Sequence, residues 1–523
     1  GTSRDGTPLS PGKAADPMTD LSTASPADGS DRYEKQFFGH PRGLSTLFFT
    51  EMWERFSYYG GRALLILFMT ASIAEGGLGM DAATAAPIYG IYVAAVYLFA
   101  MPGGWIADRL IGQRNSVLWG GVLIAAGNFS LATPGLAFFY LGLILIVLGT
   151  GLLKPNVSAI VGDLYPEGGA RRDAGFSIFY MGINIGAFIA PLIVGGLGEK
   201  VNWHLGFAAA GIGMVFGLIQ YRYGFKFLGE AGALKDEARS SRSQALRMAG
   251  LGVAAVLAIA AVLYWLSSAG ILNITIQGAA QATGVIILGV AVLFFASVLA
   301  FGHLESIEKK RVVVIFFLFI GAAIFWAGFE QAASSLNLFA DQRTDRVLFG
   351  WEAPTTWLQS VNPLFIISMA PVFAWLWVWL GSRDPSIPVK FGLGLVLLGM
   401  GFFVVAWAAT YTTPEMAESA ALGVSPAWLI ATYFLHTCGE LCLSPVGLSS
   451  ITKLSPPKYV GQMMGTWFLG AALGNLIAGL VAGYFDTLPL PGLFAWVAIT
   501  VVVAGIFFFI FSRPINKLIG GRV

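Results

Sequence analysis

Four charged side chains lie inside one long apolar run near the start of the chain. Residues 44–70 read LSTLFFTEMWERFSYYGGRALLILFMT and carry Glu51, Glu54, Arg55 and Arg62 among aromatics and aliphatics. Steps of three, four, seven and eleven residues return to nearly the same side of an α-helix. Glu51, Glu54, Arg55, Tyr58 and Arg62 therefore share one face, with Tyr59 at its edge. Ionisable groups turned toward lipid are costly, so this face must look onto protein or a water-filled cavity. Acids and bases paired there could grip a charged solute or pass a proton. The bland alternative is an inert ion-pair network that fixes helix packing. It is the weaker one, because buried ion pairs add little net stability over apolar packing of the same space.

Three more ionisable residues sit in apolar runs further on. Lys154 precedes Pro155 in ILIVLGTGLLKPNVSAIVG, Glu330 closes AIFWAGFEQ, and Glu440 lies in LHTCGELCLSPVGL one turn before Ser444. The first half of the chain thus offers Arg55, Arg62 and Lys154 against Glu51 and Glu54, while the second offers Glu330 and Glu440 with no buried Lys or Arg. A cavity between the halves would have a positive and a negative wall, which suits a zwitterion. Arg holds a carboxylate in a planar fork, and Lys acts as a compact point charge. Tyr58, Tyr59, Tyr89, Tyr92, Tyr180, Asn184, Trp326, Asn362 and Trp467 would add hydrogen bonds and apolar surface. A carboxyl group exchanges its proton when its burial or its cationic neighbour changes, so the same acids suit proton coupling. Histidine is scarce at four residues, and only His436 falls well inside an apolar run, which leaves the relay to carboxylates. No metal cluster, phosphate loop, nucleotide-binding motif or nucleophile elbow is visible. The reading is therefore not an enzyme, with no cofactor beyond protons as coupling ion, and any uphill movement would draw on an ion gradient.

The elements that must position these groups follow from composition. The chain of 523 residues is 56% hydrophobic and 11% charged. A soluble domain is about one quarter charged, so this reads as an all-α integral membrane protein among membrane lipids. The weaker period-two pattern of a membrane β-barrel is absent. Apolar runs place helices near 44–72, 86–107, 115–133, 137–161, 175–196, 202–222, 247–268, 281–303, 311–333, 361–381, 387–411, 426–450, 460–484 and 490–511, fourteen in all. Lys and Arg collect in alternate loops, around Arg109, Arg171, Lys226 to Arg247, Lys309, Arg383 and Lys453, and only Lys200, Arg343 and Arg346 fall on the other side. That asymmetry predicts cytoplasmic N and C termini. The expected organisation is a disordered cytoplasmic tail (1–43), a six-helix bundle (44–222), a cytoplasmic linker (223–246), an inserted transmembrane hairpin (247–303), a second six-helix bundle (304–512) and a cytoplasmic tail (513–523). The inserted pair, poor in charge, reads as a lipid-facing brace. Cys438 and Cys442, four apart in one run, read as packing residues rather than a disulfide. The net charge of +2 marks no nucleic-acid partner.

At these residues the chain resembles the proton-dependent oligopeptide transporter family, a branch of the major facilitator superfamily. Glu51-Met52-Trp53-Glu54-Arg55-Phe56 matches its ExxER motif, and Ser57-Tyr58-Tyr59-Gly60 continues the match. Gly103-Gly104-Trp105-Ile106-Ala107-Asp108-Arg109 resembles its second-helix loop signature, and residues Phe176 to Gly186 its fifth-helix signature. The two-helix insertion resembles the arrangement of bacterial members. The resemblance implies a major facilitator fold of two six-helix bundles plus a two-helix insertion. It implies import of di- and tripeptides with protons by alternating access, in a bacterial inner membrane, by a chain that works as a monomer. Glu51, Glu54, Arg55 and Lys154 would form the coupling network. Tyr59, Arg62, Tyr92, Lys154, Tyr180, Asn184, Asn362, Glu440 and Ser444 would line the peptide site, together with Trp326 and Trp467. Glu440 is assigned to the peptide amino end, and Arg62, Lys154 and Asn362 to the carboxylate end. Glu330, Asp108 and Arg109 are candidates for coupling or gating. Nitrate or another small anion or zwitterion is the alternative cargo, and an ion channel the alternative class.

Overall fold

The computed structural model describes residues 37–166, 169–234, 242–413 and 422–520. The expected disorder of the first 36 residues, the middle of the 223–246 linker and the last three residues of the C-terminal tail lie outside the described residues. Fourteen long helices follow in chain order: α1 (Arg42–Thr70), α2 (Ala82–Ile106), α3 (Gln113–Leu131), α4 (Leu136–Asp163), α5 (Gly169–Ala190), α6 (Trp203–Gly224), α7 (Arg242–Ser268), α8 (Ile276–Phe301), α9 (Ser306–Phe329), α10 (Val361–Leu380), α11 (Ile387–Ala409), α12 (Ala427–Leu454), α13 (Val460–Ala482) and α14 (Leu490–Ile510). Among the described residues, eleven spans are long and apolar enough to cross a membrane. The other three long helices, α1, α3 and α12, are not among these spans. Short polar caps start several helices, with Asp81 Oδ1 accepting from Thr84 N at 2.9 Å before α2 and the Asn202 side chain accepting from His204 N at 2.8 Å before α6. Such side chains satisfy the otherwise unpaired first N–H groups of a helix.

The six helices α1 to α6 pack as one bundle and α9 to α14 as a second. The inserted α8 lies on α2 and α13, at the seam between them, whereas α7 touches little beyond the turn that ends α2 and is exposed along its length. One helix of the insertion therefore packs along the seam, and the other stays exposed. Three features were not visible in the apolar pattern. Beyond α9 the chain tightens through Glu330–Ala333 and continues as a short helix, Ser335–Arg343. A two-residue hairpin pairs Val347–Leu348 with Trp351–Glu352. After α14 an amphipathic helix, α15 (Ser512–Ile519), buries Ile515 and Ile519 and packs on α9, inside what the sequence suggested was the start of the tail.

The bundles join along α2 with α13 and α5 with α10. The hydrogen bonds that cross the seam cluster toward the distal end, opposite Arg42 and Ile510. There Asn337 Nδ2 donates to Ala63 O at 2.9 Å and Ala82 N to Asp486 Oδ2 at 3.3 Å. The distal half is closed. Gly90 and Gly479 set the closest approach of α2 to α13, since a Cβ on Gly479 would lie 2.6 Å from Ala86 O and 2.7 Å from Gly90 Cα. Both obstacles are backbone and cannot rotate away. Gly479→Val is therefore expected to pry the seam open and to abolish uptake while the protein still inserts in membranes. Normal uptake at normal membrane abundance would contradict this.

Candidate functional site

The charged face predicted on α1 is real and buried. Glu51, Glu54 and Arg55 are at most 3% exposed. Arg55 Nε lies 3.2 Å from Glu51 Oε1, an i,i+4 pair with the acid on the N-terminal side, and also contacts the Glu54 carboxylate. The guanidinium sits over the Tyr58 ring at 4.9 Å. One oxygen of each glutamate and Arg55 Nη2 are buried without a hydrogen-bond partner among the described residues. The fifth-helix glycines explain how this face is enclosed. A Cβ on Gly186 would lie 2.3 Å from Met52 O and 3.0 Å from Arg55 Cβ, so α5 rides directly over the ExxER turn.

Lys154 approaches from α4. Its ammonium stands 4.7 Å from the Tyr97 ring centroid, within electrostatic range of Glu51, Glu54 and Glu330 but in no ion pair among the described residues. Two turns along α1 from the ExxER cluster, Arg62 Nε donates to Tyr89 OH at 2.6 Å, and Nη2 pairs with the Glu330 carboxylate of the other bundle. Glu330, 3% exposed at the end of α9, is thus held inside the protein. This buried pair ties the two bundles together beneath the distal closure. Tyr59 lies within electrostatic range of Arg55, Arg62, Glu330 and Glu440, so it touches the fields of both walls.

On the opposite wall Glu440 is half-buried, and its Oε2 has no hydrogen-bond partner among the described residues. Asn362 Nδ2 donates to Thr437 Oγ1 at 2.9 Å, and the amide neighbours Glu440. Asn362 thus stands beside Glu440 and Thr437 on the second bundle. Tyr180 is 49% exposed and lies within electrostatic range of Glu440 and Tyr59, while Asn184, one turn on, bonds back to Tyr180 O at 3.0 Å. Tyr92 is 6% exposed behind Tyr89 and Arg62. Trp326 packs edge-on to Phe325 and Phe329, with its indole N–H buried and unpartnered among the described residues. Ser444 is half-buried one turn beyond Glu440.

Other residues fall elsewhere. Trp467, expected to line the cavity, is 5% exposed and packed against Phe391 and Gly447 within the second bundle. Asp108 and Arg109 are exposed in the turn that ends α2, where Gln113 Nε2 donates to Asp108 Oδ1 at 3.4 Å. The second bundle does bury two cations, Lys390 and Arg346, but both lie at its ends, where Lys390 Nζ meets Asp384 Oδ2 at 2.8 Å and Arg346 meets Asp341 and Glu352. His436 is 1% exposed beside Phe402, and neither ring nitrogen has a hydrogen-bond partner among the described residues, a poor station for a relay. The pattern missed Tyr97 and the Asn128–Ser57 bond of 3.1 Å behind α1, because uncharged polar residues scattered through apolar helices carry no spacing signal.

The model of the POT family matches residues 114–497. The chain belongs to the POT family. It is 44% identical over 490 residues to an uncharacterized transporter, YclF, of Bacillus subtilis, an alignment covering 93% of this chain and 97% of that one. It is 43% identical to the peptide transporter YePEPT of Yersinia enterocolitica, across 92% and 96% of the two chains. A crystal structure of a peptide transporter POT in complex with sulfate superposes with a TM-score of 0.85 at 42% identity, covering 94% of this chain and 98% of that one. The two-bundle fold is therefore that of solved POT family members, and the chain is an integral membrane transporter rather than an enzyme.

Proposed function

We propose that this POT family member is a proton-coupled symporter of di- and tripeptides, working by alternating access between its two bundles. The observation that carries the reading is the division of buried charge. Buried Arg62 and half-buried Lys154 stand on one bundle, Glu330 and Glu440 stand on the other, and Tyr59 is within electrostatic range of Arg62, Glu330 and Glu440. Opposite charges on the two walls suit the free carboxylate and ammonium ends of a short peptide. The distal end is the outer face by the positive-inside rule, with both termini in the cytoplasm, so the state described is closed outward. Each chain holds both walls and the whole coupling cluster, which supports a monomer as the transport unit in a bacterial inner membrane.

The Arg62–Glu330 pair gives coupling a physical route. A peptide carboxylate that reaches Arg62 competes with Glu330 for the same guanidinium. A buried carboxylate that loses its cation is favoured as the neutral acid, so displacement of Glu330 and uptake of a proton belong to one step. Glu51 and Glu54 share Arg55 within a single turn of α1, so their route depends on what the neighbouring helices bring to that turn. Rocking the bundles apart at the distal end breaks the cross-bundle pair and returns both groups to water.

Recognition of the amino end is tested by Glu440→Gln. A well-aligned hydrogen bond to a charged group is worth about 1.5–3 kcal/mol, so losing it is expected to weaken dialanine binding about tenfold or more. The variant should also lose the wild-type preference for dialanine over its acetylated form. Binding in detergent, paired with a folding check, measures both. Wild-type affinity and wild-type preference in the folded variant would remove Glu440 from the amino-end site.

A further inference from the structure

We propose that Glu199 is a positioning residue for transport, whose carboxylate caps the leading turn of α10 across the bundle seam and latches the distal gate. The first N–H groups of a helix have no partner within it. The turn Thr355–Ser360 runs straight into α10, and its N-cap residue is Pro354, which offers no side-chain cap. The cap comes instead from the other bundle. Glu199, in the short helix Gly196–Lys200 that continues α5, accepts from Thr355 N with Oε2 at 2.6 Å and from Thr356 N with Oε1 at 2.8 Å. An anion at the positive end of a helix adds a favourable dipole interaction to the two bonds.

The surroundings fit a latch rather than a chance contact. The seam here closes on a glycine, since a Cβ on Gly195 would lie 1.9 Å from Thr356 Oγ1. Trp357 Nε1 donates to Leu192 O at 3.2 Å and Ser360 Oγ to Phe188 O at 2.7 Å, both across the same seam. These are neutral bonds, whereas hydrogen bonds with an ionised partner are roughly twice as strong. Glu199 therefore carries the largest share of any group in this row. From the second bundle, Asp341 Oδ1 accepts from Thr355 Oγ1 at 3.0 Å, and Arg346 bridges Asp341 and Glu352. Lys200 completes the ring at 3.7 Å from Glu352. Opening the distal end uncaps α10 and separates the whole row at once. The gate is thus held at two levels, by Glu199 at the rim and by Arg62–Glu330 beneath it.

The inference rests on the alternating-access reading, and its test is a distance rather than a transport rate. Spin labels at Ile73→Cys and Leu488→Cys stand on exposed positions of the first and second bundles at the distal end, with the buried Cys438 and Cys442 replaced by alanine. The full chain in lipid nanodiscs is then measured by pulsed electron resonance. Glu199→Gln keeps the side-chain size but turns an amide N–H toward a backbone N–H, and is expected to raise the ratio of distally open to closed molecules about tenfold. Thr355→Pro deletes one capped N–H from the other side. Proline is tolerated in the first helical turn, and Pro354 already has the extended backbone that precedes proline, so this variant folds even where Glu199→Gln does not. It should open the gate in the same direction, beyond Thr355→Val, which controls for the lost hydroxyl. The two latch variants combined should open it no further than the stronger alone. Wild-type distances in folded Glu199→Gln and Thr355→Pro, or fully additive effects, would overturn the latch. Dialanine uptake by the wild type reports separately on the transport reading.

Discussion

Glu54→Gln and Glu51→Gln are expected to abolish accumulation of peptide against its gradient while exchange of labelled for unlabelled peptide continues. Glutamine keeps the size and part of the hydrogen bonding of glutamate but cannot cycle through protonation. Both acids are buried on Arg55 within one turn of α1, and both leave one oxygen without a hydrogen-bond partner among the described residues, which is the arrangement the expected loss of coupling rests on. Counterflow needs the peptide site and the rocking motion but no net proton movement. A purely structural network would fail both assays together or show poor folding. Wild-type accumulation by both variants would take the coupling role away from this cluster.

Removing one partner of the Arg62–Glu330 pair should have the second large effect. Breaking a buried ion pair leaves an uncompensated charge, a loss of about 3–5 kcal/mol in a rigid interior. Here the protein has a way out, because opening the distal end returns the stranded charge to water. Arg62→Ala is therefore expected to lower peptide transport at least tenfold and to shift the chain toward the distally open state. Arg62→Met with Glu330→Leu, which replaces the pair by apolar groups of similar volume, should recover closure and thermal stability without recovering gradient-driven accumulation. If the double variant accumulated peptide like the wild type, the pair would be a fastening and nothing more. The Arg62 variant should also stop discriminating against peptides whose carboxyl end is an amide, since the guanidinium is the group that end would meet.

The sequence was most readable where charge contradicts its surroundings. Glu51, Glu54, Arg55, Arg62, Lys154 and Glu440 stand out because lipid-facing positions cannot hold them, and the structure buries or half-buries all six near the seam. Helix number and order were readable for the same reason, through runs long enough to cross a bilayer. Partnership was not readable. Nothing in the spacing says that Arg62 on α1 reaches Glu330 on α9, because that contact is set by how two bundles dock. Nor does the spacing say that Asn362 on α10 lies beside Glu440 on α12. Glu199 sits beside Lys200 near the end of an apolar run and looks like an ordinary loop acid, and only the tertiary fold brings it to the bare N–H groups after Pro354. Trp467 looked like a cavity aromatic, but the smallness of Gly447 draws its ring into the bundle, where it fills space instead. Short polar pieces such as Ser335–Arg343 and the two-residue hairpin fall below the length at which hydropathy gives a signal.

A proton gradient is expected to drive peptide through this chain. Purified protein reconstituted in liposomes, given an inward-directed proton gradient and radiolabelled dialanine, tests it directly. Accumulation above the external concentration, collapsing when an ionophore dissipates the gradient, is the result expected. Uptake indifferent to the gradient, or ionic current without peptide movement, would contradict it.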